Sequence, residues 1–178
     1  MLFFEQLSLW FNRSKRKTAQ TQPIKIVRNP RSCRVNSKVA PATNVEAIDL
    51  NEIWQKLQQE FFPMHYALDQ YQIVWSRRNN KRNLAVCDYR KKKVIVSPAL
   101  NNIKFRQIVE PLVYHEMCHA VLGEPQRQNG RFVYHGKEFH SLEKRHSQTR
   151  SLNEWIKNGG WANAKRVYTR RMKKFKTA

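Results

Sequence analysis

Cysteine is scarce in this 178-residue chain: Cys33, Cys87 and Cys118 are the only three, and no C-x-x-C pair occurs. So odd and scattered a set encodes neither a disulfide framework nor a cysteine-based zinc ribbon, and it fits a reducing, cytoplasmic setting. Acidic residues are few as well. Thirteen Asp+Glu face 34 Lys+Arg, which leaves a formal net charge of +21. Long apolar runs are missing too: the longest, residues 2–11, is broken by Glu5 and Gln6 and falls far short of the roughly 20 residues a membrane-crossing helix needs. Arg13, Lys15, Arg16 and Lys17 follow that run instead of preceding it, an order opposite to that of a secretory signal.

What is present suffices for one folded unit. Hydrophobic residues make up 40% and aromatics 11%, enough for a single core despite the charge. Basic residues are concentrated: nine in residues 12–45 and seven in 161–178, both without an acid, and eight in 76–93 with one Asp. Residues 1–45 therefore divide into a short amphipathic segment and a basic linker punctuated by Pro23, Pro30 and Pro41. Residues 46–160 form the expected domain, and 161–178 a basic C-terminal helix.

Within the domain, Asn44 or Asp49 is placed to cap a helix carrying Ile48, Ile53, Trp54, Leu57 and Phe61, with Pro63 as its limit. Tyr71 to Trp75, Leu84 to Tyr89 and Val94 to Val96 read as short strands of a small antiparallel sheet, with Asn79-Asn80 as a hairpin turn. Trp75, ending a strand, either borders a cleft or joins the core. Asn101 or Asn102 opens a helical stretch that runs past Pro111 to Leu122 and Gly123, and helical patterning resumes from Gly136 to Lys157.

The central helix carries His115-Glu116-Met117-Cys118-His119, an H-E-x-x-H pattern. Four residues are slightly more than one turn, so both imidazoles leave the same face and can grip one metal ion. Such a site in catalytic form has three protein ligands and one water. Glu116 stands next to that water as a general base on the zinc-bound molecule, passing its proton to the leaving amine. The extended H-E-x-x-H-x-x-G-x-x-H form is excluded by Leu122 and Pro125. His135, Glu138, His140 and Glu143 remain as third-ligand candidates that spacing does not separate. Cys118 points off the histidine face and reads as a small buried filler, and His65 and His146 as surface or packing residues.

These residues resemble the SprT-like zinc metalloproteases, which include the Spartan-type DNA-protein crosslink proteases. The likeness covers residues 46–145 and rests on Val94-Ile95-Val96-Ser97-Pro98-Ala99-Leu100, on His115-Glu116-Met117-Cys118-His119-Ala120 and on His135-Gly136-Lys137-Glu138-Phe139. It implies a compact α+β zincin-like fold, one Zn(2+) per chain, and His135 as third ligand beside His115 and His119. The cysteine-built C-terminal zinc ribbon of many members is not matched here.

The charge points to an anionic partner. Arg77, Arg78, Lys81 and Arg82 fall in one sheet loop and Arg90, Lys91, Lys92 and Lys93 in another, with Trp75 and Tyr89 adjacent, a set suited to phosphate contacts and base stacking on single strands. No major-groove reader is recognisable, so DNA without sequence preference is the expected partner, in the cytoplasm at the nucleoid or in a nucleus. The expected activity is zinc-dependent cleavage of proteins bound or crosslinked to DNA. Two other readings are a basic nucleic-acid-binding protein with a structural zinc site, and a zinc protease held on a membrane surface by residues 2–17.

Overall fold

The computed structural model describes residues 48–78, 82–125, 127–128 and 131–176. The N-terminal amphipathic segment and basic linker, Asn44, Cys33, Asn79, Asn80 and Lys81 lie outside them. Helix α1 is Leu50–Phe61. Its cap is Asp49, whose carboxylate accepts from the backbone N–H of Asn51 at 2.8 Å and of Glu52 at 3.4 Å, an arrangement worth about 1 kcal/mol. Ile53, Trp54 and Leu57 bury one stripe of the helix, Ile48 packs just ahead of it, and the helix stops two residues before Pro63.

A 3-10 turn, Tyr66–Gln70, leads into strand β1 (Gln72–Trp75), followed by β2 (Ala85–Asp88) and β3 (Lys93–Val96). Their order is β1-β3-β2, with β3 antiparallel to β2 but parallel to β1. The sheet is thus mixed where an antiparallel one was expected. The hairpin joins β2 to β3 through Tyr89–Lys92, where Lys92 adopts φ +49°. Strands β1 and β2 are not neighbours, because β3 takes the place beside β1 and closes the parallel ladder with Ser76 N–H on the Val96 carbonyl at 2.7 Å. Val94 and Val96 alternate into the core, as the period of two requires.

Two 3-10 turns, Pro98–Leu100 and Ile103–Phe105, are capped by the side chains of Ser97 and Asn102 and deliver the chain to α2 (Arg106–Leu122). Residues 111–120 of this helix are buried on every side, which is why it shows no clean apolar stripe. Pro111 sits inside it without ending it, so packing outweighs the lost hydrogen bond. Gly123, at φ +75°, closes the helix in a conformation that suits glycine. Beyond a two-stranded ribbon of β4 (Arg127–Gln128) and β5 (Arg131–Phe132), the expected single helix is split into α3 (Lys137–Glu143) and α4 (Thr149–Lys157). Gln148 N–H bonds to His146 Nδ1, and the Thr149 hydroxyl to the Glu143 carbonyl at 2.8 Å. That turn seats His146 against Phe61 and Tyr114. Helix α5 (Gly160–Lys176) follows Gly159, which has φ +78°, and is anchored by buried Trp161 and Ala164. Helix α2 is central, in contact with β2, α1, α3 and α4. No helix among the described residues is long and apolar enough to cross a membrane.

Candidate metal centre

Helical spacing places His115 and His119 on one face of α2, with ring centroids 5.0 Å apart. His135 arrives from the segment between β5 and α3, and its ring lies 5.3 Å from that of His115 and 4.9 Å from that of His119. Among the described residues these three form a group whose candidate ligand atoms all lie within 4.8 Å of one another, a spread that one small cation can draw together. Phe139, on the first turn of α3, lies under all three at 4.9, 4.4 and 4.5 Å from His115, His119 and His135. At 1% exposure it is a fixed apolar floor.

The donor set fits a metal. Desolvation, and then the neighbouring His115, hold the pKa of His119 well below the usual imidazole range. The same causes lower His135 to about 4. Both rings are therefore neutral at pH 7, and their Nε2 atoms lie 3.1 Å apart, where one ring donates to the other or, as the opposite tautomers, both offer a lone pair to a shared cation. His115 differs: burial opposes its charge, yet the hydrogen bond it gives Glu143 and the nearby Glu116 prevail, and its pKa is raised.

The other candidate ligands fall elsewhere. Glu143 Oε1 accepts from His115 Nδ1 at 2.7 Å, so it stands behind that ring. His140 has its ring 6.4 Å from that of His135 and Nδ1 3.6 Å from Glu143 Oε2. Glu138 is exposed and lines the cavity described below. Sequence reasoning missed the role of Glu143 and the floor made by Phe139. The available signal was an acid four residues after Phe139, on the same face of a short helix.

Glu116 is 2% exposed. Burial is the main cause that lifts its pKa to about 7, partly offset by His115 and by the backbone amide of Cys87. Strand β2 is the outer strand of its sheet. Since Ser97 N–H bonds to the Leu84 carbonyl, the alternation of an antiparallel ladder turns the Cys87 N–H off the free edge, where Glu116 meets it. A cavity of about 650 Å³ adjoins the site, lined by Tyr89, His119, Leu122, Val133, Tyr134 and Phe139 among others. Burial raises the Tyr89 hydroxyl's pKa, so it stays protonated.

Of the basic loop residues, Arg77, Arg78, Arg82, Arg90, Lys91 and Lys92 are exposed and Lys93 is half-buried at the start of β3. Lys91 lies 3.8 Å from Asp88, and Lys92 sits over the Tyr71 ring. The two aromatics expected to serve these loops are engaged inward: Trp75 packs on the core and donates its indole N–H to the Ile48 carbonyl at 3.3 Å, while Tyr89 lines the cavity. Cys118 is fully buried, and His65 is exposed.

Against known proteins, the family model described as SprT-like family matches residues 50–158. No curated protein and no solved structure matches the chain.

Proposed function

Because this chain belongs to the SprT-like family and so carries a metalloprotease-like domain, we propose that it is a zinc-dependent endopeptidase acting on proteins bound or crosslinked to DNA. The observation that carries the reading is the convergence of three imidazoles beside one buried carboxylate. His115, His119 and His135 would hold the ion. Zinc, when bound, supplies a Lewis acid that acidifies water and polarises a peptide carbonyl.

The chain's own groups do the rest. Glu116, lifted to about 7, exchanges a proton readily near neutral pH; it takes one from the attacking water and returns it to the departing amine. The Cys87 amide favours the ionised form of that carboxylate and offsets part of the effect of burial. The cavity lined by Tyr89, Leu122, Val133 and Tyr134 gives room for a substrate peptide next to His119.

DNA is the partner favoured by the exposed cations of the two sheet loops together with Lys165, Arg166, Arg170, Arg171, Lys173 and Lys174 of α5. Contacts of this kind go to phosphates and carry no sequence preference, which suits an enzyme working at the nucleoid or in a nucleus. The test is cleavage of a DNA-binding protein with single-stranded DNA, double-stranded DNA or neither, at low and high salt. The expected result is DNA-dependent cleavage that weakens steeply with salt. Cleavage indifferent to DNA would remove the DNA part of the reading, and a zinc-loaded protein inert on every substrate would remove the peptidase.

A further inference from the structure

We infer that Glu143 is a positioning residue of the metal centre: its carboxylate holds His115 as the Nδ1–H tautomer, with Nε2 turned towards His119 and His135. The inference rests on the reading of those three histidines as metal ligands.

The contact is short and enclosed. Nδ1 and Oε1 are 2.7 Å apart, with Glu143 3% and His115 7% exposed, the length expected of a charge-assisted bond. A neutral imidazole has one donor and one acceptor, so a ring that donates through Nδ1 must keep its lone pair on Nε2. The main chain that carries Glu143 is itself fixed. Its backbone carbonyl accepts from the Thr149 hydroxyl at 2.8 Å. One residue earlier, the Leu142 carbonyl accepts from the Tyr114 hydroxyl at 2.8 Å. Helices α2 and α3 are therefore clasped at two adjacent points, Tyr114 to Leu142 and His115 to Glu143.

Stability alone does not account for such an acid. Taking a carboxylate out of water costs several kcal/mol, and packed apolar residues in place of both members of such a buried pair are often neutral or stabilising. The chemistry of a ligating imidazole does account for it, because a carboxylate behind the ring fixes its orientation and strengthens the opposite nitrogen as a donor. Glu143 thus leaves the set of candidate ligands and becomes the support of one.

Two variants test this in the full chain. Glu143→Gln keeps an acceptor for Nδ1 but loses the charge, and Glu143→Leu keeps comparable bulk but loses both. Zinc affinity is measured by competition with a chromophoric chelator, and thermal unfolding of the metal-free protein reports on folding. The expected result is one zinc per chain in each, bound about 10-fold more weakly by the Gln variant and towards 100-fold by the Leu variant, with cooperative unfolding retained. Wild-type affinity in either variant overturns the inference. Should the Leu variant not fold, the Gln variant decides alone. A wild-type protein that binds no zinc overturns the ligand reading and this inference with it; zinc binding that ignores position 143 overturns this inference only.

Discussion

Replacing Phe139 with alanine probes the floor on which the three imidazoles stand. The ring is 1% exposed and lies within 5 Å, centre to centre, of His115, His119 and His135. Removing it forfeits the transfer free energy of a buried phenyl and leaves a cavity that the rigid α2 helix cannot refill. Phe→Ala changes of this kind cost about 3–5 kcal/mol, a large part of the roughly 5–15 kcal/mol that holds a domain together. The measurement is urea unfolding of the metal-free protein. With a slope near 2 kcal/mol per molar, the midpoint is expected to fall by roughly 2 M. Met64→Ala, on a side chain 75% exposed, serves as the comparison and is expected to stay within about 0.5 kcal/mol. Zinc titration of Phe139→Ala is expected to show weaker binding as well, because the rings lose their backing. A destabilisation below about 1 kcal/mol would refute the account of Phe139 as a packed floor.

Other expectations are equally concrete. Glu116→Gln is expected to abolish proteolysis while keeping about one zinc per chain by metal analysis, and His135→Ala to lose the metal; full occupancy in the latter would sink that ligand. Acid is expected to destabilise the metal-free protein. His119, His135 and His146 have folded pKa values below the ordinary imidazole value, so their stabilisation is complete above about 6.5 and is lost as pH falls, for His135 through about 4. His115 and Glu116 are shifted the other way, and their contributions are lost as pH rises, for Glu116 through about 7; these two oppose the three histidines, and Glu143, held below the carboxylate range, adds to the loss in acid. A melting temperature that stays flat from pH 7 to 4.5 in chelator would contradict this balance. Gly160→Ala would set a Cβ 2.2 Å from Trp155 Cε2, and the overpacking is expected to cost about 1–3 kcal/mol, read as a lower melting temperature.

The parts of this molecule visible in the sequence were those governed by local chemistry. Asp49 stood with Asn44 as one of two cap candidates, and its carboxylate serves amides two and three residues on; the three strands were visible because short β-branched runs separated by polar clusters suit little else. His115 and His119 share a helix face by spacing alone. Parallel pairing of β1 with β3 was not legible, since nothing within a four-residue strand records which neighbour it will meet. The break between α3 and α4 was hidden for a related reason: the helical period continues through residues 144–148, and the turn is decided by His146 seating against Phe61 and Tyr114. Glu143 was visible as an acid near the site, but only the crossing of α2 and α3 shows which side of His115 it occupies.

The amide that supports Glu116 belongs to the main chain of an outer strand. That donor is present whatever side chain residue 87 carries, so the position is free to drift among small apolar residues without disturbing the base. The exception is proline. On an outer strand, with its nitrogen turned off the ladder, proline costs no sheet hydrogen bond, yet it removes the main-chain N–H that offsets part of the burial of Glu116. The proton affinity of the base is therefore set in part from a strand position that carries no catalytic side chain and lies outside the H-E-x-x-H helix.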